Sequence, residues 1–295
     1  MPVSASGRHV GRLAAAFTIT AVFMVVEVVT GLATNSLALL SDGAHMVTDV
    51  VGVGLALAAI LAARRSRRQP GRTFGLYRAE VLAALANAVL LFGVAGYVLY
   101  EAIARFSSPP DVPGTPVVVV SLLGLAANVV AFLLLREGAS ESLNLRGAYL
   151  EVVADMIGSI GVLVSGLVTL VFGWRYADPV IGVAIGLFVL PRTWALAKRS
   201  LRILFQHAPE RVDVDELTGA LARLPGVGEV HDVHVWTLTS GMEVASAHLT
   251  VGPDCDQAKI LAAARELLAD DYELEHATLQ VESNNAAVSC RELQW

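Results

Sequence analysis

The chain has 295 residues, of which 55% are hydrophobic and only 16% charged, with a mean hydropathy of +0.61. Soluble domains carry about a quarter charged residues, so a wholly soluble globular protein is excluded. Residues 1–202 hold 16 Lys and Arg against 11 Asp and Glu (net +5), whereas residues 203–295 hold 5 against 16 (net −11), so a membrane-like region precedes an acidic, soluble one.

A membrane-spanning helix needs about 20 mostly apolar residues. Six windows qualify, at roughly 13–33, 37–62, 79–104, 116–135, 147–171 and 176–197. The first has no small-residue cleavage site and carries Glu27, so it is expected to be a retained helix and not a signal peptide. The breaks "RRSRRQPGR", "SSPPDVPGTP", "REGASESLNLR" and "FGWRYADP" are rich in Pro, Gly and charge, the usual punctuation between elements.

Lys and Arg bias sets the orientation. With a cytoplasmic N-terminus, the inside segments hold 14 of these residues, from Arg8 to Arg202, and the outside segments only Arg105 and Arg175. Both termini and the acidic region are therefore expected in the cytoplasm. The basic run "RRSRRQPGR" is accounted for as a topology determinant near anionic lipid, so no nucleic-acid partner is expected.

Residues 203–295 read as a separate domain. "VDELTGALARL" has helical periodicity, with apolar Leu217, Leu221 and Leu224 on one face. "GEVHDVHVWTLTSG" and "MEVASAHLTV" read as strands joined by a Gly-containing turn. "DQAKILAAARELLADD" is a second amphipathic helix and "HATLQVE" a third strand. The order α-β-β-α-β predicts a small α+β fold with its helices on one face of the sheet. A domain of this size has a modest core, which favours association with a second copy. Cys255 and Cys290 both lie in this region, fit no disulfide or CxxC pattern, and read as buried or idle thiols.

Ionisable residues inside a membrane are costly and by default functional. Away from the interfaces the membrane region has Glu27, Asp42, His45, Asp49, Glu151 and Asp155. Positions i and i+4 share a helix face, so "HMVTD" projects His45 with Asp49, and "EVVAD" projects Glu151 with Asp155. Two helices, each offering two ligands, can build the four-ligand tetrahedral site that zinc favours. Asp42, at i−3 from His45, either helps a cation reach the site or caps the helix. Glu27 lacks such a partner and reads as a packing residue, and Asn128 as a helix–helix hydrogen-bonding residue. Gly43, Ala44, Gly52 and Gly54 flank the first pair, and Ala148, Ala154, Gly158 and Gly161 the second, as close helix approach requires.

At these residues the chain resembles the cation diffusion facilitator family of divalent-metal/proton antiporters, of the zinc-exporter type. "NSLALLSDGAHMVTDVVGVGLAL" looks like the family's second helix, "FGLYRAEVLAALANAVLL" the opening of its third, "LNLRGAYLEVVADMIGSIGVL" its fifth and "DPVIGVAIGLFVL" its sixth. "VHDVHVWTLTSGMEVASAHLTV" is similar to its cytoplasmic domain. The resemblance spans almost the whole chain. It implies an all-α six-helix transmembrane domain (1–202) plus a small cytoplasmic α+β, metallochaperone-like domain (203–295). It further implies a homodimer in the prokaryotic plasma (inner) membrane that exports metal against inward protons, with no organic cofactor and no enzymatic activity. Within the cytoplasmic domain the resemblance marks His231, His248 and Glu282 as metal ligands.

One position departs from the family. Zinc-type members carry His-x-x-x-Asp on the fifth helix as well, and here the His position is Glu151. The expected transport site is then His45, Asp49, Glu151 and Asp155, with a formal charge of −3 when all three carboxylates are ionised. Carboxylates suit Mn²⁺ better than imidazole does, but four tetrahedral ligands and the Irving–Williams order keep Zn²⁺ first, ahead of Co²⁺, Cd²⁺, Mn²⁺ and Fe²⁺. Glu151 is expected to exchange a proton for the metal.

His231 and His234, three apart in one strand, are expected to point to opposite faces of the sheet. His234 and His276 read as surface residues, and His207 has no assignable role. "REGASESLNLR" contains no histidine, which argues against a metal-collecting role for that loop. An intramembrane metalloenzyme would need an open coordination position and a general base; all four positions are filled and no His-Glu-x-x-His motif is present. A membrane metal sensor is the remaining competitor, though six helices with paired ligands exceed what sensing requires.

Overall fold

Six long helices precede a small sheet domain in the computed structural model, which describes residues 10–66, 73–136, 143–239 and 241–283. The helices are α1 (Val10–Thr34), α2 (Leu37–Ser66), α3 (Arg78–Ser107), α4 (Gly114–Leu135), α5 (Leu143–Phe172) and α6 (Ala177–Leu204). Each predicted window falls on one of them to within a residue. Several helices outrun the apolar windows, α6 by seven residues, because Lys and Arg sustain a helix beyond the apolar limit. Among the described residues, five helices are long and apolar enough to cross a membrane: Ala14–Thr34, Arg78–Ser107, Gly114–Leu135, Ala148–Phe172 and Ala177–Leu204. The chain divides into two compact units, Met1–Leu55 with Ala86–Ala197, and Ala56–Leu85 with Lys198–Trp295.

In the first unit the side-chain pattern is the reverse of a soluble bundle. Along α4 the buried positions are Gly114, Val117, Val120, Ser121, Gly124, Asn128, Ala131 and Leu135, a narrow stripe of mostly small and polar residues. Val119, Leu122, Leu123, Val130 and Leu133 point outward. Lipid is as apolar as leucine, so association rests on close packing of small residues and not on hiding large ones. The stripe packs on α5 and α1, and a Cβ at Gly124 would sit 2.3 Å from the Phe23 ring. Asn128 Nδ2 donates to Ser159 Oγ at 3.2 Å, the α4–α5 hydrogen bond its position suggested.

The start of α2 is held by α6. Ser36 Oγ donates to Asp178 Oδ1, while the Leu37 N–H donates to Oδ2 at 2.6 Å and the Ala38 N–H to Oδ1 at 3.3 Å. Ser36 Oγ also accepts from the Leu39 N–H at 3.2 Å. These contacts satisfy the free N–H groups of a buried helix end. Arg105 completes the corner, 3.7 Å from Asp178 and donating to both the carbonyl and the side chain of Asn35. Asn35 sits at φ 56°, a left-handed conformation that asparagine tolerates and that turns α1 into α2 without a loop.

In the second unit, α7 (Val214–Ala222), β1 (Val227–Thr239), β2 (Met242–Val251), α8 (Gln257–Asp270) and β3 (His276–Ser283) follow the predicted α-β-β-α-β order. The sheet order is β1-β2-β3, with β1 antiparallel and β3 parallel to β2. Asp213 and Asp256 cap the two helices, each accepting two backbone N–H bonds. Ala245, Ala247, Leu249 and Val251 of β2 pack with Leu217, Leu221, Ile260, Ala264 and Leu268 of the helices, and Ala277, Leu279 and Val281 of β3 join them. The alternate positions, including His248 and Glu282, fall on the sheet face away from the helices. Cys255 is a free, half-buried thiol 3.7 Å from the Gly226 carbonyl; Cys290 lies outside the described residues.

Candidate metal centres

Two clusters of ligand atoms stand out, one in each unit. In the first, α2 presents His45 and Asp49 one turn apart, and α5 brings Asp155 against them. His45 Nε2 lies 3.6 Å from Asp49 Oδ2 and 4.0 Å from Asp155 Oδ1. One ligand atom from each of the three lies within 4.8 Å of the others. His45 and Asp155 are buried. His45 Nδ1 and Asp155 Oδ1 have no hydrogen-bond partner among the described residues. An unsatisfied buried polar atom costs about 1–3 kcal/mol, and a cation among His45 Nε2, Asp49 and Asp155 would satisfy the buried Asp155 oxygen.

Glu151, the fourth expected ligand, does not join this set. Its Oε1 is ion-paired with Arg192 Nη2 of α6, and its Oε2 is buried without a hydrogen-bond partner among the described residues. The i,i+4 spacing places Glu151 and Asp155 on one face of α5, but the guanidinium turns the Glu151 carboxylate to itself. Nothing in the local sequence signalled this, because Arg192 lies 41 residues downstream in what reads as a cytoplasmic flank.

Asp42 is buried one turn into α2, beside α5: a Cβ at Gly158 would lie 2.2 Å from its Oδ1. Ser36 and Asp178 occupy the capping role, so capping by Asp42 is ruled out. Glu27 is fully buried against Gly43, with neither carboxylate oxygen hydrogen-bonded among the described residues. That is more than the packing role expected of Glu27 from its lack of an i,i+4 partner would need.

The second cluster joins His231, His248 and Glu282, again with one ligand atom each within 4.8 Å. His248 Nδ1 is 3.2 Å from Glu282 Oε1, and His231 Nε2 is 3.8 Å from Glu282 Oε2. The His231 and His248 rings meet edge to face at 5.3 Å between centroids. They are cross-strand partners, and directly opposed residues share a face. Between His231 and His234 the register shifts, with Asp232 at φ 51°. This bulge overturns the expected alternation: His231 and His234 oppose His248 and Ser246, two apart on β2 and so on one face. His234 nonetheless turns outward to Asp232 Oδ1 at 3.0 Å. Asp232 Oδ2 lies 3.7 Å from His248 Nε2, adding a carboxylate beside the cluster that strand periodicity could not reveal. His207 and His276 are exposed and belong to neither cluster. Replacing His248 with alanine removes the central ligand of this set. Zinc affinity of this site, read by calorimetry on the full chain, is expected to fall at least tenfold.

Comparison with known proteins bears on both units. The sequence profile of the cation efflux transmembrane domain matches residues 13–205, and that of the cation efflux protein cytoplasmic domain matches residues 209–284. The metal cation efflux system protein CzcD of Cupriavidus metallidurans is 45% identical over 94% of this chain and 87% of its own length. The zinc transporter ZitB of Escherichia coli is 40% identical over 92% and 87%. A cadmium, cobalt and zinc/H(+)-K(+) antiporter of Bacillus velezensis is 37% identical over 95% and 90%.

Proposed function

Because the chain belongs to the cation efflux family, a family of multi-pass membrane transporters and not of enzymes, we propose that it exports Zn²⁺ in exchange for protons by alternating access. The cargo binds at His45, Asp49 and Asp155, with Glu151 as the fourth ligand. The observation that carries this reading is the three-residue set drawn from two helices, with His45 and Asp155 buried and Asp155 Oδ1 unsatisfied among the described residues. Metal ligands must be deprotonated, so each cycle of binding and release exchanges protons at His45, Asp49 and Asp155, whereas Glu151, expected from the sequence to exchange a proton, is paired with Arg192; antiport needs no separate proton path. Access from one side and then the other comes from movement of the ligand-bearing helices.

An imidazole with carboxylates favours Zn²⁺ over Mn²⁺ by the Irving–Williams order, and zinc is named for two of the relatives above. Co²⁺ and Cd²⁺ come next, with Mn²⁺ and Fe²⁺ after them. In this reading α2, 30 residues long, is the sixth membrane span, with residues 1–202 in the membrane and 203–295 in the cytoplasm. Both termini face the cytoplasm of a prokaryotic plasma membrane. His231, His248 and Glu282 hold a regulatory zinc, and the cytoplasmic domains pair two chains into a homodimer.

The test is metal-dependent proton flux in reconstituted vesicles with Zn²⁺, Co²⁺, Cd²⁺, Mn²⁺ and Fe²⁺. Zinc is expected to drive the fastest flux. Glu151→His is expected to keep zinc transport and lower any Mn²⁺ flux severalfold, since it trades a hard ligand for an imidazole. Flux with none of the five, despite zinc binding, would instead make the protein a sensor.

A further inference from the structure

Arg192 has no part in the function as described so far, yet its guanidinium engages a residue of the transport site. It lies on α6, and its Nη2 is paired with Glu151 Oε1. Glu151 thereby stands apart from the set formed by His45, Asp49 and Asp155. With all carboxylates ionised and His45 neutral, Asp49, Glu151 and Asp155 place three negative charges around a divalent ion. Arg192 brings the total to −2, matching the cargo.

We propose that Arg192 is a built-in counter-ion that competes with the cargo metal for Glu151. While Arg192 holds the carboxylate, the site offers three ligands. When metal arrives, Glu151 leaves the guanidinium and supplies the fourth. When metal departs, Arg192 recaptures it. Among the described residues the buried second oxygen, Oε2, has no hydrogen-bond partner in the ion-paired arrangement, so Glu151 can exchange partners there without breaking another hydrogen bond. Arg192 is thus a positioning residue that sets affinity through Glu151. It keeps the site from holding a divalent ion too tightly to release, a balance every conducting site must strike. The inference rests on the transport reading above.

The experiment measures zinc affinity by chelator competition on the purified full chain, in a His248→Ala background that silences the cytoplasmic cluster, alongside zinc flux in vesicles. R192Q removes the competitor and leaves −3 around the ion. It is expected to tighten zinc binding at least tenfold and to slow turnover. R192K keeps the charge and is expected to stay within about threefold of the parent. In an E151Q background, R192Q is expected to change affinity less than threefold, because there is no carboxylate left to contest. R192M serves with the same expectation if R192Q does not fold. Unchanged affinity in R192Q, or an equal change in both backgrounds, overturns the proposal while leaving the transport reading intact. A parent that binds no zinc in the membrane unit and moves no metal removes both.

Discussion

Asp155→Ala is expected to reduce metal-driven proton flux to the level of empty vesicles and to weaken zinc binding in the membrane unit at least a hundredfold. Asp155 is the one member of the three-residue set that does not come from α2. Without it, His45 and Asp49 remain as two ligands on a single helix, 3.6 Å apart, and the tetrahedron lacks its fourth protein ligand. Glu151 is then the single carboxylate offered from α5, and it must first be drawn from Arg192. Because second-sphere losses alone cost metal sites about 10–100-fold, loss of a direct ligand must exceed that. Asp155→Asn should fare nearly as badly, since a neutral amide cannot offset the cargo charge. Flux in Asp155→Ala within twofold of the parent would show that the cation passes elsewhere.

Asp178→Ala is expected to be the most destabilising single substitution in the membrane unit. Its carboxylate accepts from Ser36, Leu37 and Ala38 and lies 3.7 Å from Arg105, and both charged residues are buried. Removing one partner of a buried ion pair costs about 3–5 kcal/mol, because the survivor is left uncompensated. Arg105 retains Glu101 at 3.0 Å and the Asn35 contacts, which keeps the loss toward the lower figure. The start of α2 would also lose two backbone partners. Thermal unfolding in detergent should show a drop of several degrees, with Asp178→Asn in between because the amide oxygen still accepts. A variant melting with the parent would mean that Ser36 caps α2 alone.

The three-residue set proposed as the transport site was partly legible in the sequence. Periodicity put His45 beside Asp49, and the matching spacing pointed to Asp155 as their partner across the helix interface. The partition of Glu151 was not legible, since it depends on a guanidinium one helix away in space and 41 residues away in sequence. The same holds for Asp178. Beside Pro179 it read as loop punctuation, and only the approach of α6 to α2, across 142 residues, makes it a cap. In the cytoplasmic domain the element order followed from apolar spacing. The facing of His234 did not, because the bulge at Asp232 adds a residue that strict alternation cannot anticipate. Helix ends were the least legible feature, since basic residues continue a helix past the apolar limit that marks a span.

The clasp at Asp178 also bears on mechanics. It pins the beginning of α2 to the beginning of α6, and Ser41 Oγ donating to the Gly182 carbonyl at 3.2 Å extends the same corner, so the two helices share a fulcrum at that end. At 1.5 Å per residue, His45 stands about 12 Å along its lever from Leu37, and Arg192 about 21 Å along its own from Asp178. A tilt of about 10° about that point would carry His45 by about 2 Å and Arg192 by about 4 Å. Asp155 and Glu151 ride on α5, outside the clasp. The cluster of His45, Asp49 and Asp155 therefore lies on a seam between helices that the clasp joins and one that it does not, and the guanidinium travels farther than the imidazole for the same swing. A small rotation at the pinned corner is thereby geared into a larger displacement at the guanidinium that pairs with Glu151.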